Sequence, residues 1–107
     1  AAWCPPCRQF AGGMEALYTD LGRDGLQAWF IISDTADGGP VDAAFCRQIR
    51  NQYGLTMPVL YDAEGAFQAT FAAPSNSVNA VLDAAGVLRF KQQFSSAAAV
   101  RGAVAGL

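Results

Sequence analysis

Residues 1–10, AAWCPPCRQF, decide how the rest of the chain is read. Adjacent prolines fit a helix only in its first turn, where their missing N–H groups are not needed and their fixed φ is already helical. A helix therefore starts at Pro5, and Phe10, Met14, Leu17 and Leu21 carry it at three- and four-residue spacing to Gly22. Cys4 and Cys7 then stand at i and i+3 across that first turn and share one face. A disulfide closing so short a loop removes little entropy from the unfolded chain, so it serves poorly as a staple and well as an exchangeable bond. Cys4, at the helix N-terminus, has the macrodipole to favour its thiolate and is the candidate nucleophile; Cys7 is the candidate resolving thiol. Pro5 and Pro6 offer no N–H to the Cys4 sulfur, so only a moderate lowering of its pKa is expected. Trp3 reads either as a packing cover beside that sulfur or as the apolar end of a strand.

Composition narrows the alternatives. The 107 residues are 52% apolar with eleven glycines, which indicates one small globular domain over residues 1–107. Seven basic and nine acidic residues give a net charge of -2 with no run of one sign, so nucleic acid is not an expected partner. Arg47 and Arg50 share a helix without forming a basic stripe. The longest apolar run, Ala28 to Ile32, is far below the roughly 20 residues of a membrane-spanning helix. Histidine is absent, which removes the usual base of Cys-His and Ser-His nucleophiles. Zinc needs four ligands, and three cysteines with Cys46 remote from the pair do not supply them, so no metal is expected. Cys46 stands at i−3 to Ile49 and i−7 to Tyr53, the place of a small buried hydrophobe; a relay or regulatory third thiol is the sharper reading.

Outward from the first helix, Leu26 to Ser33 reads as a buried parallel strand and DTADGGP as a loop. Val41 to Tyr53 is a second helix with Asp42 in its first turn, Phe45, Ile49 and Tyr53 on one face, and Gly54 as its stop. MPVLYD is a short strand, Ala66 to Ala72 a short helix, and APSNS a loop. VNAVLD and VLRFKQQF form a hairpin around DAAG. Ser95 or Ser96 caps a last helix with Val100, Val104 and Leu107 in one stripe, read as packing against the sheet. This order implies an α/β layer fold, a mixed sheet with helices on both faces.

WCPPCR, YGLTMPVLYDAEG and VLDAAGVLRFK, in that order, resemble thioredoxin-fold thiol–disulfide oxidoreductases of the TlpA/ResA-like redoxin group over nearly the whole chain. The resemblance implies a thioredoxin-like three-layer fold, dithiol–disulfide exchange with protein thiols, no cofactor beyond a redox-active Cys4–Cys7 disulfide, a periplasmic or other extracytoplasmic setting, and a monomer. It also implies a strand running into Trp3 and Cys4, so one or more strands are expected ahead of Ala1. Relatives place a cis-proline before the hairpin; Ser77 falls there, and Pro74 lies three residues early. Trp3, Pro5, Pro6, Asn76 and Ser77 would border the groove for the protein substrate. Where relatives carry a glutamate and a kinking proline after the motif, this chain has Phe10 and Gly12, so a charge near the pair is lost. Two competing functions are a peroxiredoxin-like thiol peroxidase using Cys46 as an extra resolving thiol, and a redox-inactive binding module.

Overall fold

The computed structural model describes residues 5–33, 41–62, 64–71 and 78–107, with side chains from Arg8 onward. Helix α1, Pro5–Leu21, begins and ends where the two prolines and Gly22 place it. Its expected stripe buries Leu17 with Val81 and Val100, joined by Phe10, Met14, Leu21, Leu26 and Phe90. A second flank escapes the sequence pattern: Ala11 is fully buried with Ala28, Leu55 and Met57, and Met14 and Tyr18 pack beside them. The helix is thus a pillar with a core on each side.

Strand β1 is Phe30–Ile32, shorter than the Leu26–Ser33 run. Leu26 instead closes the end of α1, its N–H donating to Leu21 O, and packs with the α1 core, while Trp29 is 57% exposed. Pairing limits the strand. Only residues 30–32 find partners, in parallel register with β2, Val59–Tyr61, as Phe30↔Val59 to Ile32↔Tyr61.

Between these strands α2 spans Ala43–Tyr53. Asp42 precedes it as the N-cap instead of lying in its first turn, because its carboxylate accepts the Phe45 N–H, one of the donors a helix start leaves unpaired. Gly54 ends it at φ 66, a left-handed conformation that costs glycine little. The Phe45, Ile49 and Tyr53 face meets β1, forming a third cluster around Ile32, Cys46 and Ile49.

Helix α3, Ala66–Thr70, is held at its start by both Asp62 carboxylate oxygens, which accept from Phe67 N and Gln68 N. The expected extension to Ala72 lies outside the described residues. The hairpin forms as read: β3, Val78–Leu82, pairs antiparallel with β4, Leu88–Gln93. Its turn is pinned by Asp83, whose carboxylate accepts from Ala85 N, Val87 N and Arg89 Nε. Ser96, not Ser95, caps α4, Ala97–Ala105, accepting from Ala99 N. Ser95 is buried and accepts from Asn79 Nδ2 on β3. Val100 and Val104 pack inward, whereas Leu107 is 57% exposed because the helix ends before reaching it.

Parallel and antiparallel pairing are both present, as a mixed sheet requires, though among the described residues no ladder joins the two pairs. Val81 and Phe90 point to α1 and α4. Lys91, one residue on from Phe90, points to the opposite face and donates to Phe71 O at the end of α3. Helices therefore cover both faces. Among the described residues no helix is long and apolar enough to cross a membrane.

Candidate active site

The backbone of Pro5, Pro6 and Cys7 forms the first turn of α1. Trp3, Cys4, Pro74, Asn76 and Ser77 lie outside the described residues, as do the side chains of Pro5, Pro6 and Cys7. What the structure supplies is the frame. The helix that begins with the motif is anchored on both flanks, and β3 starts at Val78, directly after Asn76 and Ser77.

Arg8, the first described side chain after the pair, lays its guanidinium over the Tyr53 ring, 5.2 Å from the centroid. Tyr53 in turn meets Phe30 edge-on, with centroids 6.4 Å apart. A cation over an aromatic face is attracted by the ring quadrupole, which here holds the Arg8 guanidinium on α2 at Tyr53. Phe10 packs into the α1–α4 core.

Farther along α1, the Glu15 carboxylate accepts from Thr56 N at 2.8 Å, from the Thr56 hydroxyl and from Met57 N at 3.2 Å. Partial burial works against its charge, but these hydrogen bonds and the field of Arg50 prevail and hold the carboxyl below its ordinary 4.5. Neither the Arg8–Tyr53 contact nor this clamp was read from the sequence. The available signal was Glu15 standing between Ala11 and Tyr18 at helical spacing, a carboxylate set in an apolar flank.

Cys46 is a free thiol, 5% exposed, in the cluster with Ile32 and Ile49. Burial pushes its pKa above the ordinary 9.0 and Asp42 adds to that, against the opposing field of Arg47. The site is that of a small hydrophobe.

The alternation of helices with a parallel and an antiparallel strand pair around a pillar helix that starts at a Cys-x-x-Cys motif defines a thioredoxin-fold redoxin. The model of the AhpC/TSA family matches residues 1–91, and the chain belongs to that family. No curated protein matches it. Among solved structures, a secreted Mycobacterium tuberculosis disulfide oxidoreductase homologous to E. coli DsbE superposes with a TM-score of 0.76. The match covers 99% of this chain and 75% of that one at 20% identity, which establishes the shared fold.

Proposed function

We propose that this chain is a thiol–disulfide oxidoreductase of TlpA-like type, acting on protein thiols or disulfides outside the cytoplasm through Cys4 and Cys7. The observation that carries the reading is the CPPC motif at the start of α1, on a helix packed into the core on both flanks. The family and the secreted disulfide oxidoreductase of like fold support it.

In the reducing direction the Cys4 thiolate attacks one sulfur of a partner disulfide. An S–S bond forms between Cys4 and the partner, and the partner's other sulfur leaves as a thiolate. Cys7, deprotonated, then attacks the Cys4 sulfur, and the second partner sulfur leaves with the electron pair. Two electrons and two protons pass to the partner, and Cys4–Cys7 is left as the disulfide. The oxidising direction is the reverse. No cofactor beyond the pair enters either direction. Trp3, Asn76 and Ser77 border the substrate in this reading.

The test is reduction of insulin disulfides by the dithiothreitol-reduced protein, with Cys4→Ser and Cys7→Ser variants. Activity lost in both, with a trapped mixed disulfide on Cys4 in Cys7→Ser, supports the proposal. Consumption of hydrogen peroxide without exchange would favour a thiol peroxidase instead. The burial of Cys46 counts against its use as the extra resolving thiol of such a peroxidase.

A further inference from the structure

The arginines that make no stripe in the sequence do share a groove in the fold. Ala43, Cys46, Arg47 and Arg50, at i, i+3, i+4 and i+7, form one wall, and Pro58 through Tyr61 form the other, around an open groove of about 530 Å³. This places the arginines beside β2. One flank of β2 pairs with β1; the other carries no ladder among the described residues. Leu60 is 43% and Tyr61 49% exposed there.

The groove brings two cations side by side. Of the other described cations, Arg89 pairs with Asp83, Arg101 with Asp20, Lys91 donates to a carbonyl and Arg8 lies over the Tyr53 ring, while Arg23 stands by itself among the described residues, just past the end of α1. Arg47 has no hydrogen bond or ion pair among the described residues. Among the described residues Arg50 hydrogen-bonds only through Nε, to Leu55 O at 3.3 Å, and its charge also acts on Glu15. The nearby carboxylates are already committed to backbone N–H groups: Glu15 to Thr56 and Met57, Asp42 to Phe45, and Asp62 to Phe67 and Gln68. In a chain of net charge -2, Arg47 thus makes no ion pair among the described residues, and Arg50, whose field reaches Glu15, stands beside it along one strand flank.

We propose that this groove docks an extended acidic segment of a partner protein, added as a strand beside β2 with carboxylates at alternate positions. Alternate side chains of a strand lie about 6.6 Å apart on one face, and Arg47 and Arg50 rise about 4.5 Å apart along α2, a mismatch their long stems absorb. The carboxylates then meet the arginines on the face of Val59 and Tyr61, and the residue between them lies beside Leu60 on the other face. So small a contact gives a weak, salt-sensitive association, suited to a transient encounter. The inference rests on the proposed exchange activity only in taking the partner to be a protein.

The probe is the capped, fluorescein-labelled peptide EVEVE, titrated at low salt and followed by anisotropy and by backbone amide shifts. Saturable binding is expected, with shifts concentrated in residues 43–50 and 59–61, at least tenfold weaker in Arg47→Glu and absent in the Arg47→Glu/Arg50→Glu double variant. KVKVK should not bind, and EEEVV, with the same charge but no alternation, should bind less well than EVEVE. Binding of either control equal to EVEVE, shifts elsewhere, or no effect of Arg47→Glu overturns the proposal. Arg47→Glu alone is decisive if the double variant does not fold, because Arg47 makes no bond among the described residues. Exchange with a small disulfide is measured alongside and should be unchanged in Arg47→Glu. Peptide binding without exchange in the wild type sinks the oxidoreductase reading and leaves the groove standing; exchange without binding does the reverse.

Discussion

Helix α1 is held in two different ways on its two sides. Toward the hairpin and α4 the contact is apolar and close: Leu17 is 1% exposed against Val81 and Val100, and a Cβ on Gly13 would stand 2.7 Å from Ala97 Cβ. Toward β1 and β2 the packing around Ala11 and Met57 is completed by a carboxylate, Glu15, which gathers two backbone N–H groups and a hydroxyl from the segment entering β2. The first side depends little on pH, because the Asp20–Arg101 pair that joins α1 to α4 is exposed to solvent. The second adds a charge-dependent lock to the helix that carries Cys7.

The sharpest way to break the apolar side is Leu17→Ala, expected to cost about 2–5 kcal/mol in urea unfolding at any pH where the protein folds. On the polar side, Glu15→Gln is expected to cost about 1–3 kcal/mol at neutral pH, since hydrogen bonds to a charged group are being weakened. That difference depends on pH with a definite sign. The folded pKa of Glu15 lies below its unfolded value, so its contribution is complete above the unfolded pKa and is lost as pH falls through the folded one. Urea midpoints of wild type and Glu15→Gln should therefore converge in acid; a constant gap down to pH 3 contradicts the charged clamp.

Two adjacent glycines sharpen the contrast at smaller scale. A Cβ at Gly12 meets nothing within 4 Å, so Gly12→Ala should stabilise by about 0.5–1 kcal/mol through helix propensity. Gly13→Ala should destabilise, because Ala97 is in the way. Thermal melts of the two variants moving in the same direction would show that α4 does not approach α1 so closely. The smallest effect concerns Cys46, which should react with iodoacetamide far more slowly in the native protein than in 6 M guanidinium.

What the sequence made legible follows the same division. The Leu17 flank, the hairpin, the glycine helix stops and the serine cap of α4 rest on local spacing, and CPPC is a local motif whose place at a helix start follows from its prolines. The Ala11 flank was not legible because alanine and tyrosine are weak markers of a core. The Glu15 clamp was not legible because its partners lie 41 and 42 residues away. Asp42 was placed one step too far inside its helix, since an N-cap and a first-turn acid look alike in sequence. Strand β1 was read too long because Leu26 and Trp29 are apolar for reasons other than pairing. The grouping of Arg47 and Arg50 beside β2 depends on where a second element lies.

The central claim is that Cys4 and Cys7 form an exchangeable pair at the head of α1. The most direct test equilibrates the protein in a Cys46→Ala background across glutathione ratios and counts thiols by mass spectrometry after alkylation. A reversible two-electron transition, with a glutathione adduct confined to Cys4 when Cys7 is replaced by Ser, is the result expected. A pair that stays reduced or stays oxidised at every ratio, or an adduct on Cys7 in preference to Cys4 when each is left alone, would contradict the account.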